Sequence, residues 1–223
     1  MLDWIWPVGC VGCGELGREW CPHCGPGSLL RPRSRSIGVE RVFSVERYER
    51  PAGQALKRAK VHGDYGTLSR LAHLFANRLA PALGPVDAIV PAPSSWRSRT
   101  KRGFSAASLF AAALGRRIHT PIHSILRSTA KVRLATLSAE QRRVTLRGQI
   151  RAITDLPGRV VLVDDVLTSG ATAESCALEL LGGSTSEVLL ATFCAVKETD
   201  RDHRRAFVTR NDEGSVASCV HMR

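Results

Sequence analysis

Along this chain the spacing of apolar residues changes several times, and each change predicts an element. Val39, Val42, Phe43 and Val45 in VERVFSVERY make a short β-like run. Residues 52–62 and 66–83 switch to helical spacing: Leu68, Leu71, Ala72, Phe75 and Leu79 recur at three and four, with Pro81 marking the expected stop. DAIVPAP at 87–93 reads as a buried strand running into a loop, 104–116 as a further helix and PIHSILR at 121–127 as a further strand. RVVLVDD at 159–165 is a continuous apolar run closed by two acids. A helix over 171–182 and a strand, SEVLLATFCAV, over 186–196 follow it.

Strands that alternate with helices, and that are apolar without alternation, belong in a parallel sheet covered on both faces. The expected fold class is therefore α/β, and no internal repeat is visible. At 223 residues the chain suits one main domain with a small appendage. The expected division is a module and linker over 1–36, the α/β domain over 37–197 and a polar tail over 198–223. Ligands of such sheets collect at the carboxyl ends of the strands, so the loops after 87–93, 121–127 and 159–165 are the places to look for chemistry.

Composition adds a bias. Lys and Arg number 32 against 20 Asp and Glu, a formal charge of +12. Such a balance suits a polyanionic partner, either a phosphorylated small molecule or a nucleic acid; the alternative is that most of the arginines serve solvation. Hydrophobic content of 43% with 5% aromatics excludes disordered and fibrous classes. No segment approaches the roughly 20 consecutive apolar residues of a membrane span. The opening MLDWIWPVG is short and lacks the basic leader of a secretory signal, so the cytoplasm is the expected location.

Four of the seven cysteines form a cluster of metal type. Cys10 and Cys13 are one pair, Cys21 and Cys24 the other, and seven residues separate the pairs. Each two-residue gap lets a tight turn aim both thiolates at one ion, with Gly12, Gly14 and Gly25 supplying the backbone freedom. A structural zinc ion held by all four is the expected occupant, against a redox or disulfide pair or no metal; His23 lies inside the second pair, where the two cysteines are better placed. Arg31, Arg33 and Arg35 in RPRSRS then read as a linker, with nucleic-acid contact as the alternative. Cys176, Cys194 and Cys219 are scattered as buried or incidental thiols are.

The segment VVLVDDVLTSGAT, 160–172, carries the most specific chemistry. A strand delivers Asp164 and Asp165 to the sheet edge, and Thr168, Ser169, Gly170, Ala171 and Thr172 turn into a helix. Backbone N–H groups and the helix N-terminus can there meet one phosphate. Two carboxylates beside a phosphate need another purpose, which vicinal sugar hydroxyls with a magnesium ion close by would supply. Neighbours on an extended chain point to opposite sides, so both acids reach one ligand only where the strand ends. The plainer alternative is a capped helix with incidental acids.

This segment resembles the phosphoribosyl pyrophosphate (PRPP) motif of type I phosphoribosyltransferases, with Ser169 where a second Thr is common. The resemblance implies that Asp164 and Asp165 hold the ribose 2′- and 3′-hydroxyls and that Thr168, Ser169, Gly170, Ala171 and Thr172 hold the 5-phosphate. IVPAPSSWRSRTKRGFS, 89–105, resembles the segment after the first sheet strand in the ComF family of competence-associated phosphoribosyltransferase-like proteins. That family also carries an N-terminal four-cysteine module. The implied fold is a type I phosphoribosyltransferase-like parallel sheet flanked by helices, with a small N-terminal zinc module.

Arg97, Arg99, Lys101, Arg102 and Gly103 can offer charge and close backbone approach to a pyrophosphate; a solvated basic loop is the alternative. By resemblance Pro93, Arg97, Lys101, Arg102 and Gly103 form the pyrophosphate loop. The stretch from 128 to 149, with Lys131, Arg133, Arg142 and Arg143 around a short helix that Ser138 would cap, lies where such enzymes have a mobile catalytic loop. Lys131 and Arg142 are the catalytic candidates there. Ser105 and Thr145 each replace an Asn of the family pattern, which bears on turnover more than on PRPP binding. The implied activity is PRPP and Mg²⁺ binding with phosphoribosyl transfer to an unknown acceptor. The rival is a non-catalytic PRPP sensor or single-stranded-DNA-binding protein in DNA uptake. Single-strand binders combine cations with stacking aromatics, but three of the four tryptophans, Trp4, Trp6 and Trp20, lie in the cysteine module, leaving Trp96.

Overall fold

The computed structural model describes residues 9–24, 29–32, 36–93, 104–129 and 148–196. The chain runs through β1 (Arg41–Arg47), α1 (Pro51–His62), α2 (Tyr65–Leu83), β2 (Ala88–Pro91), α3 (Ala106–Ile118), β3 (Leu126–Ser128), β4 (Ile150–Ala152), β5 (Gly158–Leu167), α4 (Ala171–Leu181) and β6 (Thr185–Ala195). Four strands form one parallel sheet in the order β1-β6-β5-β2. Val160, Val161, Leu162 and Val163 of β5 are each 0% exposed. That total burial explains the unbroken apolar run: both faces of the strand are covered.

One face packs under α1, α2 and α3, around Phe43, Phe75, Phe110 and Phe193. The other packs under α4 and the short β3–β4 pair, around Val42, Val90, Leu162, Leu190 and Cys176. The parallel sheet flanked by helices matches the expected class. Both outer edges are partly covered. Leu30 bridges Ser44 beside β1, and Ile122 bridges Ile89 beside β2, which blunts two rows of free backbone groups. Leu30 thus lies along the outer edge of β1.

Local signals place most boundaries. Pro51 opens α1, and Gly63, at φ +71°, ends it. Asp64 caps α2 by accepting from the Thr67 amide at 3.0 Å. Ser105 caps α3 by accepting from the Ser108 amide at 3.4 Å; Asn and Ser cap about equally well, so the departure at 105 is neutral in that role.

Two expectations are corrected. Pro81 does not stop α2, which continues to Leu83 before Gly84. Proline there removes one donor in the last turn, and the buried Leu79 and Leu83 hold the helix on the core past it. The stretch 121–127 is not one sheet strand. Ile122 makes a single parallel bridge, after which Ile125 and Leu126 turn onto the α4 face and β3 pairs antiparallel with β4. Among the described residues no helix is long and apolar enough to cross a membrane.

Candidate functional site

The carboxyl ends of β2, β5 and β6 meet at one edge, and β5 reaches three residues further than Asp164. Its alternation therefore continues through both acids. Leu162 faces the α4 side and Val163 the α1 side, which sends Asp164 toward α4 and Asp165 toward α1. Asp164 lines a cavity of about 130 Å³ with Val166, Thr168–Ala173, Leu190 and Thr192. Asp165 instead pairs with Lys60 of α1, Oδ2 to Nζ 2.6 Å. Its backbone N–H donates to Asp164 Oδ1 at 2.8 Å. Thus one acid of the pair and the whole hydroxyl-rich turn are brought together, while the second acid is held on the other face.

Burial, and then the negative charge of Asp165, push the Asp164 carboxyl up to about 7; the Asp165 amide and Lys60 pull only partly back. At neutral pH the cavity wall therefore holds a carboxyl close to its midpoint, able to accept from a hydroxyl or face a cation.

The turn is built around Gly170, at φ +74°, the N-cap of α4, which offers no side-chain cap to the helix. The Glu174 amide bonds to the Gly170 carbonyl, and the earlier amides of the first turn lie beside the cavity. Ser36 Oγ donates to the same carbonyl at 3.2 Å, and a Cβ at 170 would land on that hydroxyl. Glycine is thus required twice, by backbone angle and by space. A helix start whose N-cap residue has no side chain can turn its first amides to an anion.

The remaining candidates divide by position. Pro93 ends the described stretch after β2, and the Ala92 amide donates to the Val163 carbonyl at 2.8 Å, so that loop leaves from the edge that bears Asp164. Arg97, Lys101, Arg102 and Gly103 lie outside the described residues, as do Lys131, Arg142 and Thr145.

The sulfurs of Cys10, Cys13, Cys21 and Cys24 all lie within 4.8 Å of one another. Tetrahedral zinc with bonds of about 2.3 Å spaces its sulfurs by roughly 3.8 Å, so the four thiols fit one ion, and exposed His23 stands apart. Burial raises the Cys10 thiol, yet the N–H groups of Cys21, Cys13 and Gly12 bring it down to about 6; burial and the neighbouring thiols push Cys24 up to about 12. A cation among them would resolve that conflict by displacing protons. A Cβ on Gly12 would meet Cys24 at 2.8 Å. The cluster docks on the main domain through buried Val11, through Arg70 to the Gly9 carbonyl, and through Arg58 to the Gly12 carbonyl.

Three site residues escape the sequence reading: Lys60, Ser36 and Thr192. Lys60 sits on an ordinary basic helix, and Ser36 in a polar linker. Only Thr192 carries a signal, a lone hydroxyl in the run LLATFCAV.

No family model matches the chain. It is 29% identical over 200 residues to the DNA utilization protein YhgH of Escherichia coli (strain K12), covering 83% of this chain and 88% of that protein. Competence protein F of Haemophilus influenzae is 26% identical over 174 residues, 73% of this chain and 74% of that one. These relatives bear out the resemblance to the ComF family. Among solved structures, adenine phosphoribosyltransferase from Saccharomyces cerevisiae covers 76% of this chain and 84% of its own, at 16% identity and a TM-score of 0.40.

Proposed function

We propose that this protein binds PRPP with Mg²⁺ at the β5–α4 cavity and transfers its phosphoribosyl group to an acceptor, in the cytoplasm, with zinc held by Cys10, Cys13, Cys21 and Cys24. The observation that carries the reading is the cavity itself: one carboxyl, Asp164, faces an uncapped helix start across a hydroxyl-lined turn. First-turn amides of α4 bind the 5-phosphate, and Asp164 orients the ribose. Asp165 completes the ribose contact by leaving Lys60. One cavity-facing carboxylate suits Mg²⁺, which takes few protein ligands and is held largely by phosphate oxygens. When bound, the ion supplies charge neutralisation for the departing pyrophosphate. Arg97, Lys101, Arg102 and Gly103, following Pro93, hold the pyrophosphate, and Lys131 and Arg142 serve as catalytic residues. A nucleophile bonds to the anomeric carbon as the bond to pyrophosphate breaks, and the electron pair leaves with the pyrophosphate.

Calorimetric titration of PRPP with Mg²⁺ into the zinc-loaded protein, beside an Asp164→Asn/Asp165→Asn variant, tests the reading. Binding that the variant lacks supports it; no binding by the unaltered protein rejects it.

A second reading, a non-catalytic protein of DNA uptake that contacts single strands, is supported by the relatives' names and by the +12 charge. It requires an affinity for single-stranded DNA that falls steeply with salt. Absence of binding at low salt removes it.

A further inference from the structure

Thr192 lies on β6 directly beside Asp164, its partner in the strand register. It lines the same cavity and is 0% exposed. Yet its Oγ1 finds no hydrogen-bond partner among the described residues. A buried hydroxyl without a partner costs stability, and an apolar residue of the same shape, valine, would suit a β-strand at least as well. The hydroxyl therefore calls for a partner that arrives from outside, and the cavity is where it can arrive.

The neighbour narrows what that partner is. Strands pair about 4.8 Å apart, so Asp164 and Thr192 present an acceptor and a donor side by side on one face of the sheet. A fully ionised phosphomonoester has no proton to give the Asp164 carboxylate, and any phosphate dianion would be repelled by it. A sugar hydroxyl gives one proton and takes another, which satisfies both groups at once. We propose that Thr192 is a ligand-binding residue of this cavity, its hydroxyl donating to a sugar hydroxyl that in turn donates to Asp164. The inference rests on the sugar-phosphate reading above and adds a residue that neither the PRPP motif nor the turn contains.

The test is calorimetry at pH 8 with Mg²⁺ on the full chain, using PRPP, ribose 5-phosphate and inorganic phosphate as probes. Thr192→Val is expected to weaken PRPP and ribose 5-phosphate about tenfold, the loss of one good hydrogen bond, and to leave inorganic phosphate unchanged. Thr192→Ser, which keeps the donor, is expected to stay within about twofold of the unaltered protein. The ligand-free Thr192→Val protein should melt no lower than the unaltered one, because no described residue loses a partner.

Equal affinities for the unaltered protein and Thr192→Val overturn the inference and leave the proposed function standing. Equal weakening of inorganic phosphate also overturns it, since the hydroxyl then serves the phosphate. A Thr192→Val protein that melts lower or fails to fold overturns it too, by showing that the hydroxyl has a partner within the protein. If the unaltered protein binds neither PRPP nor ribose 5-phosphate, the proposed function falls and this inference falls with it.

Discussion

The two faces of the sheet edge end in opposite ways, although adjacent residues of one strand supply both. On the α1 side, Asp165 meets Lys60 at 2.6 Å, and the cysteine module closes over α1 and α2 through Val11, Arg58 and Arg70. On the α4 side, Asp164, the Thr192 hydroxyl and an uncapped helix start surround an open cavity. On the first face the acid is answered by a lysine; on the second the Thr192 hydroxyl has no partner among the described residues and Asp164 meets only a backbone amide. An ion-paired acid and a cavity-lining acid thus lie one residue apart. Sequence adjacency is no guide to which acid does which, because a strand alternates its faces.

The largest effect should come from the open face. Asp164→Ala is expected to weaken PRPP about a hundredfold, the order of a lost charged hydrogen-bond partner, without lowering the melting temperature. Equal binding by Asp164→Ala and the unaltered protein in a calorimetric titration would erase the contrast between the faces. Gly170→Ala comes next. It forces a side chain into a left-handed backbone and onto Ser36, and should cost about 2 kcal/mol in denaturant unfolding while weakening phosphate binding. The closed face should respond differently: Lys60→Met leaves Asp165 without its cation and is expected to cost about 1 kcal/mol, discounted for partial exposure. If that variant is destabilised and still binds PRPP, the division between the faces sharpens.

What the sequence shows of this arrangement depends on how local each signal is. Strand, turn and helix at 159–182 are contiguous, so the cradle and Asp164 are legible from the pattern alone. So is the cysteine cluster, whose two turns are each four residues long. Lys60 meets Asp165 only because α1 returns across the sheet edge, a fact no local pattern carries. Thr192 is hidden for a related reason: β6 is buried on both faces, so its apolar run has no alternation to tell which residues point at α4. At 121–127 the apolar residues are real core residues, Ile125 and Leu126, but they serve the α4 face from a separate two-stranded pair. Burial was legible there and pairing was not, since an apolar run does not specify its partner strand. The same distinction explains Pro81, where tertiary burial of Leu79 and Leu83 outweighs the local break.

The last effect concerns protons. Burial and Asp165 raise the Asp164 carboxyl from 3.8 to about 7, so between those values the folded protein holds a proton that the unfolded chain has released. Stability must then fall as pH rises through that window and level off above it. Asp164→Asn has no such proton, so its melting temperature relative to the unaltered protein should climb by a few degrees between pH 4 and pH 7 and stay constant from there to pH 8. The measurement is a pair of thermal melts at each pH without ligand. Curves that run parallel across the window would mean that Asp164 is not held up, and that the open face already satisfies its own charge as the closed one does. A widening gap would show that the empty cavity disfavours the carboxylate that the ligand needs. PRPP should then bind more tightly as pH rises through 7, because its hydroxyls and Mg²⁺ select the ionised form.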